Sequence, residues 1–334
     1  MTRVLGAFAL LLALAAGDAG VRADENTVVG KLARTLKPGQ WAELKSEGYV
    51  FDKLMRGEDI LAYAGKAAWD RNSQQALFIG QVHLKGPPVF ITYDAKANRW
   101  QQMPTPKWAE ALKWFHAYEN NAGDSERGVF FHHSSASPLI HRYDVAKSEW
   151  STLPELKGAG TGHGTAIEYF PEMKGLVRFL GGEVWFYSDA KNAWTKLGGK
   201  VEAGPYHNFA SYSPTAKAVL LGGGNGSGAV HRLTADGKIT AGAKAPLDLG
   251  IGRTLTVVDP ASGALLVLAK GKFLAYDPVK DEWKDLPTKD VPFPKYDGHS
   301  VSAVPLSNDG AVLFFSSQPQ GMKTYVYKHA NAGG

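Results

Sequence analysis

The chain has 334 residues, a formal net charge of +5 and no cysteine. Its Lys and Arg residues are interleaved with Asp and Glu and form no long basic run, which argues against a nucleic-acid partner because the phosphate backbone requires a concentrated basic surface. Without cysteine the protein has neither disulfides nor a cysteine-linked lipid, so core burial and strand pairing must provide its stability.

The N-terminus has the layout of a cleavable secretory signal. Arg3 precedes an apolar run from Val4 to Ala16, and small residues continue to Ala23. The run is shorter than the roughly 20 residues that a membrane-spanning helix needs, and no other segment approaches that length. We therefore predict a signal peptide over residues 1–23, cleavage after Ala23, and a secreted or periplasmic protein without a membrane span.

Four segments repeat one pattern, in which a Tyr stands seven residues before a Trp and polar Asp, Asn and Lys residues lie between them. These segments are 93–100, 143–150, 187–194 and 276–283. The polar centre is turn chemistry and the flanks favour strands, so each copy predicts a β-hairpin. A fifth, degenerate copy runs from Leu233 through Asp236 and Gly237 to Ile239. The period of about 45 residues suits one four-stranded blade of a β-propeller.

An apolar, strand-like run precedes each hairpin, and a sixth run lies near the C-terminus. The runs cover 76–79, 129–131, 176–180, 218–221, 265–268 and 312–315. The last is followed by a strand at Thr324–Tyr327 that lacks its Trp partner, while the strand at Gln40–Leu44 has no strand before it. Pairing these two ends would close the ring and remove its exposed edges.

The predicted fold is therefore all-β: one domain over 24–334, a six-bladed propeller of four-stranded antiparallel blades closed by the N-terminal strand. Two short helices are predicted in addition, at Val28–Leu36 and Thr105–Phe115, where apolar residues recur at helical spacing.

The spaced Tyr and Trp, with glycine pairs at Gly181–Gly182 and Gly222–Gly224, resemble the kelch repeats. At one equivalent place His132 and His133 stand instead of glycines, which puts them at a predicted strand end. The resemblance implies a propeller like the central domain of galactose oxidase. The copper radical site of those oxidases needs a Tyr crosslinked to Cys, and the absence of cysteine excludes it here.

The candidate site consists of residues that precede the innermost strand of successive blades. They are His116, His163, His207, Arg253 and His299. Because their spacing follows the repeat, we expect them to ring the channel axis at one level, with Tyr63 or Lys66 in the equivalent place of the first blade. Such a ring suits Zn or Cu, with His163, His207 and His299 as ligands, or an anionic ligand around Arg253.

Equal spacing also has a purely structural explanation. If one ancestral blade was duplicated, a His that caps the innermost strand would recur in each copy. The equal spacing would then arise without any ligand. Tyr206 and the segment 295–297 belong to the same loops and could add hydrogen-bonding or acid–base groups.

Two functions therefore remain open at the level of sequence. The first is a monomeric binding module that takes a protein, carbohydrate or small-molecule ligand at the channel mouth. The second is an enzyme, metal-assisted or acting on an acidic sugar as an isomerase or hydrolase. Exported kelch propellers that interconvert sialic acid anomers resemble this second case, with Arg253 as the counterpart of their carboxylate-binding Arg. The sequence has no serine nucleophile elbow, zinc-protease helix or dinucleotide fingerprint.

Overall fold

The computed structural model describes residues 26–48, 60–81, 88–110, 112, 116–135, 137–159, 163–294, 296, 298–318 and 321–331. The predicted signal peptide and its cleavage site after Ala23 lie outside the described residues.

The described strands form six four-stranded antiparallel sheets arranged as the blades of a propeller. Strand β1 (Gln40–Leu44) comes first in the chain. Blade 1 contains β2 (Ala68–Asp70), β3 (Gln75–Gly80), β4 (Val89–Asp94) and β5 (Arg99–Gln102). Blade 2 contains β6 (Asn121–Asp124), β7 (Val129–His133), β8 (Ile140–Asp144) and β9 (Glu149–Thr152). Blade 3 contains β10 (Ala166–Phe170), β11 (Gly175–Leu180), β12 (Glu183–Ser188) and β13 (Ala193–Leu197).

The remaining blades repeat this order, and the degenerate fifth copy is a hairpin as predicted. Blade 4 contains β14 (Asn208–Ser213), β15 (Ala218–Gly223), β16 (Val230–Thr234) and β17 (Ile239–Ala241). Blade 5 contains β18 (Thr254–Val258), β19 (Leu265–Ala269), β20 (Lys272–Asp277) and β21 (Glu282–Asp285). Blade 6 contains β22 (Val301–Leu306), β23 (Ala311–Gln318) and β24 (Gly321–Lys328), and β1 is its outermost strand.

The two ends of the chain close the ring, as the sequence predicts. β1 pairs antiparallel with β24, from Gln40 opposite Lys328 to Leu44 opposite Thr324. The ring of Trp41 lies 4.5 Å from that of Tyr327, centroid to centroid, so closure buries aromatic surface as well as pairing the backbone.

The Tyr–Trp repeat is explained by contacts inside each outer hairpin. Tyr93 stands directly opposite Trp100 across β4 and β5, with ring centroids 5.3 Å apart, and cross-strand aromatic pairs of this kind stabilise a hairpin. The Tyr93 hydroxyl donates to the side-chain oxygen of Asn98 at 2.8 Å, and Asn98 adopts a left-handed conformation in the turn. Tyr187 with Asn192 repeats this arrangement. The Tyr therefore secures both the pair and the turn.

The repeat Trp residues differ in burial more than the sequence suggests. Trp100 is 1% exposed and its indole N–H donates to the Thr324 hydroxyl of blade 6 at 3.0 Å. Trp150, Trp194 and Trp283 are only half-buried. Of the four, Trp100 is therefore the one that belongs fully to the core.

One of the two predicted helices forms. Helix α1 spans Val28–Thr35, and the Thr27 side chain caps it by accepting from the Gly30 amide at 3.0 Å. The segment Thr105–Phe115 instead shows a single 3-10 turn, Lys107–Ala109, which follows Pro106; residues 111 and 113–115 lie outside the described part. A further 3-10 turn spans Pro171–Met173. No helix among the described residues is long and apolar enough to cross a membrane.

The six innermost strands surround the central channel, and each contacts its neighbours on both sides. Isolated parallel bridges join their beginnings, between Ala64 and Tyr118, Glu119 and Ala166, and Lys66 and Ala303. One end of the channel is therefore formed by the loops that lead into these strands, and the other by the turns that leave them.

Candidate functional site

The loops that lead into the innermost strands bring the predicted imidazoles to one end of the channel. His207 and Arg253 immediately precede β14 and β18, and His116, His163 and His299 lie shortly before β6, β10 and β22. Tyr63 occupies the equivalent place before β2, whereas Lys66 lies deeper in the channel. We call the group Tyr63, His116, Tyr118, His163, Tyr206, His207 and His299 the His–Tyr mouth.

Tyr63 lies among the imidazoles of the mouth. Its ring centroid is 4.3 Å from His299, 5.7 Å from His116 and 6.1 Å from His207. His116 in turn lies 6.1 Å from His163. The four predicted His residues therefore gather in one cluster with a phenol ring between them.

Arg253 stands apart from this cluster. Its side chain is 64% exposed, and its guanidinium lies 3.3 Å from the carboxylate of Asp248. The position is at the rim of the mouth, since the neighbouring Gly252 faces the rings of Tyr63 and His207.

The backbone of the mouth is held in an unusual conformation. Tyr63, Tyr118 and His207 have φ values of 52°, 38° and 65°. They are the only aromatic residues with positive φ among the described residues; the others are mainly polar residues in hairpin turns. A bulky side chain in this region costs about 1–3 kcal/mol and persists only where the surroundings enforce it.

Hydroxyl and imidazole groups of the mouth form a continuous chain of hydrogen bonds. The Nδ1 atom of His116 is bonded to the Tyr118 hydroxyl, which is bonded to the hydroxyl of Tyr206. Burial, followed by the bond to Tyr206, raises the pKa of Tyr118 well above its ordinary value. The Tyr118 hydroxyl therefore keeps its proton at neutral pH and is available as a hydrogen-bond donor.

His207 is fixed in one tautomer and presents a free acceptor. Its Nδ1 lies 3.1 Å from the side-chain oxygen of Asn225, so Nδ1 carries the proton that is donated. Its Nε2 is buried and has no hydrogen-bond partner in the described part of the chain. Burial lowers the pKa of His207 to about 4, which keeps the ring neutral at physiological pH.

The described residues contain no group of three or more His, Asp or Glu side chains placed to hold a metal ion. The zinc or copper expected at His163, His207 and His299 therefore has no such ligand set within that part of the structure. The mouth is a surface of aromatic rings, hydroxyls and imidazole nitrogens.

Below the mouth, Lys66 crosses the channel. Its ammonium donates to the carbonyl oxygens of Ile167 and Ala210, each at 2.8 Å, and to the carboxylate of Glu168. An ammonium has three donors, so all are used. Lys66 thereby ties blade 1 to blades 3 and 4 and separates the mouth from the rest of the channel.

Glu119 lies next to this ion pair. It is 1% exposed and neither carboxylate oxygen has a hydrogen-bond partner among the described residues. Burial raises the pKa of Glu119 to about 8, against the lowering effect of Lys66. Gly65 makes room for it, because a Cβ atom there would lie 2.5 Å from the Glu119 Oε1.

A cavity of about 380 Å³ occupies the other end of the channel. All six innermost strands, or the turns that follow them, contribute to its wall. We call it the channel cavity; Lys66 and Glu168 form its inner end. The repeat pattern in the sequence indicates a site only at the beginnings of the innermost strands, and no sequence motif marks this cavity.

The histidines that replace the diglycine lie in the interior of blade 2. His132 and His133 end β7, as predicted, and both are fully buried. The Nδ1 of His132 lies 2.7 Å from the side-chain oxygen of Asn121, and burial lowers its pKa well below the ordinary value. Trp108 stacks on His141 of the adjacent strand, with centroids 3.9 Å apart.

No protein-family model and no curated protein matches the chain. Among solved structures, a chain of a nidogen/laminin complex is similar, with a TM-score of 0.51 and 10% identity over 69% of this chain and 80% of that chain. A fungal alcohol oxidase of the AA5 family, solved in complex with copper, has a TM-score of 0.52 and 11% identity over 87% of this chain and 77% of that chain. At these identities the likeness shows the fold alone: the chain is a six-bladed β-propeller.

Proposed function

We propose that the protein is an exported, monomeric binding module that takes a ligand, or a segment of a partner protein, at the His–Tyr mouth. The observation that carries this proposal is the strained backbone of Tyr63, Tyr118 and His207. Structural positions can be held by unstrained residues, whereas strain concentrated at convergent aromatic side chains is typical of sites that must present those side chains.

The chemistry of the mouth supports the same proposal. Tyr63 and Tyr206 are partly exposed aromatic rings, and the neutral ring of His207 lies 6.1 Å from that of Tyr63. Rings with polar tips give large contact area at low entropic cost, which is why they dominate binding surfaces. A chain of a nidogen/laminin complex shares the fold, and a segment of a partner protein is therefore included among the proposed ligands.

The test is a binding screen against the mature protein, followed by variants of the mouth. A phage-displayed peptide library and a glycan array supply the probes, and each confirmed binder is measured again by titration. His207→Ala should weaken binding about tenfold or more, because a buried hydrogen bond and ring contacts are both lost. N-terminal sequencing of the exported protein should begin at Asp24.

His231 provides the matched control. It lies in the same blade as His207, on β16, and its Nε2 bonds the carbonyl oxygen of Glu202 at 2.7 Å, away from the mouth. His231→Ala should leave binding unchanged. Equal binding by His207→Ala and the wild type would place the ligand elsewhere and overturn the proposal.

One observation favours catalysis as a second candidate function. The chain His116–Tyr118–Tyr206 links three groups that can carry a proton, and the exposed Arg253 at the rim of the mouth suits the carboxylate of an acidic sugar. If the mouth is catalytic, Tyr118→Phe should abolish conversion of a bound acidic sugar, followed by NMR of its anomeric protons, while binding persists. If Tyr118→Phe converts the sugar at the wild-type rate, this chain of hydrogen-bonded groups has no catalytic role.

A further inference from the structure

We propose that the channel cavity is a second binding site, separate from the His–Tyr mouth, for a neutral polyhydroxylated molecule of monosaccharide size. Its volume of about 380 Å³ lies within the range of about 300–1,000 Å³ that is typical of ligand pockets. This inference does not depend on the function proposed for the mouth.

The cavity offers hydroxyl groups that the protein itself does not use. The hydroxyls of Ser211 and Thr256 line the wall and form no hydrogen bond within the described part of the chain. These two groups come from the adjacent blades 4 and 5, so a small ligand could bond both at once.

The charges of the wall favour a neutral ligand over an anion. Carboxylates line it at Asp124, Glu126 and Glu168, against the cations Lys66 and Arg71. Lys66 has no donor left, since Ile167, Ala210 and Glu168 accept all three. The guanidinium of Arg71 keeps its donors, but it lies 4.0 Å from the carboxylate of Glu126, so an anion that reached it would lie beside a carboxylate.

The ion pair also disfavours an ammonium ligand, which would lie beside the Lys66 ammonium on reaching Glu168. Aromatic rings complete the wall, at Trp69, Tyr169 and Tyr212. A sugar combines hydroxyl groups, which suit the free Ser and Thr oxygens, with an apolar C–H face that packs on such rings.

The experiment uses the full mature protein and four named probes, each tested alone at millimolar concentration: D-glucose, D-galactose, D-mannose and N-acetyl-D-glucosamine. Saturation-transfer NMR detects binding, and titration gives the affinity. For a probe that binds, Ser211→Ala/Thr256→Val should weaken binding about tenfold, as expected for two lost hydrogen bonds. Ser211→Ala alone, which changes one blade only, tests the same contact if the double variant folds poorly, and it should weaken binding by a smaller factor.

Two controls separate this site from the mouth. His207→Ala should bind the sugar as the wild type does, and so should Ser151→Ala, which removes an exposed hydroxyl of β9. The proposal is overturned if none of the four sugars binds, or if the cavity variants bind normally. Loss of sugar binding in His207→Ala alone would assign the sugar to the mouth instead and equally overturn it.

Discussion

The ammonium of Lys66 lies 2.8 Å from the carbonyl oxygen of Ala210, which belongs to the blade directly opposite across the channel. A side chain from blade 1 thus holds blade 4 through the centre of the ring, while β1 and β24 hold the ring at its circumference. This contact divides the channel into the His–Tyr mouth on one side and the channel cavity on the other.

Removing this contact should cost much of the stability of the protein. Lys66→Met leaves Glu168 in the channel without its counter-ion and frees two carbonyl oxygens. Breaking a buried ion pair from one side typically costs about 3–5 kcal/mol, which urea denaturation would measure. Lys66→Met/Glu168→Gln should recover part of the loss.

Lys280 is the matched control for this change. Its ammonium lies 3.6 Å from the Asp277 carboxylate on the surface, where ion pairs contribute about 0–1 kcal/mol. Similar free energies of unfolding for Lys66→Met and Lys280→Met would show that the crossing contact is not a stabilising one.

Glu119 should make stability depend on pH. Its pKa is raised from 4.5 to about 8 by burial, with Lys66 lowering it and Glu168 raising it, so the folded state keeps the proton to higher pH than the unfolded state. This contribution to stability is therefore present at low pH and is lost as the pH rises through the interval from 4.5 to about 8.

Glu119→Gln should remove that part of the pH dependence. The free energy of unfolding of the variant, relative to the wild type, should increase steadily over the interval and level off above it. Glu282→Gln, at an exposed position of β21, should leave the wild-type profile unchanged. A constant difference between Glu119→Gln and the wild type at all pH values would contradict the assignment.

The repeat Trp residues should differ in their effects. Trp100→Ala removes a fully buried side chain and should destabilise the protein by about 3–5 kcal/mol. Trp194→Ala should cost less, because the side chain is half-buried and its N–H donates to Pro154 near the surface. Thermal or urea unfolding would measure the loss of stability in each variant. An equal loss in both would contradict the expectation that the more buried Trp contributes more to stability.

Most of the fold could be predicted because its determinants are local. Tyr93 and Trp100 face each other across one hairpin, so their spacing in sequence already encodes the contact. Ring closure followed from an unpaired strand at each end. The helix predicted over 105–115 was wrong: the apolar spacing of the segment suits a helix, but only a short 3-10 turn follows Pro106 among its described residues.

The candidate site could be predicted only in part. The repeat spacing predicted that the four His residues lie at one end of the channel, since corresponding residues of successive blades occupy corresponding places, but it did not show that Arg253 stands apart from them. The central position of Tyr63, the crossing of Lys66 and the free hydroxyls of the cavity depend on how six blades meet. Such contacts join residues far apart in sequence, as with Lys66 and Ala210, and no periodic pattern marks them.

The positive φ of Tyr63 can be tested for its cost in stability, and that cost is the main support for the mouth as a binding site. At ordinary positions Gly is less stable than Ala, because Gly loses more backbone freedom on folding. At φ 52° the order should reverse: Tyr63→Gly should be more stable than Tyr63→Ala by about 1 kcal/mol, since only Gly adopts this conformation without cost. Both variants lose the ring, so the comparison isolates the effect of the backbone conformation.

The control is Ala64→Gly, at the neighbouring buried position where φ is not positive, and this variant should show the ordinary loss of stability on changing Ala to Gly. If Tyr63→Gly proves less stable than Tyr63→Ala in urea denaturation, the backbone is not strained there, and the strongest support for the mouth as a binding site disappears.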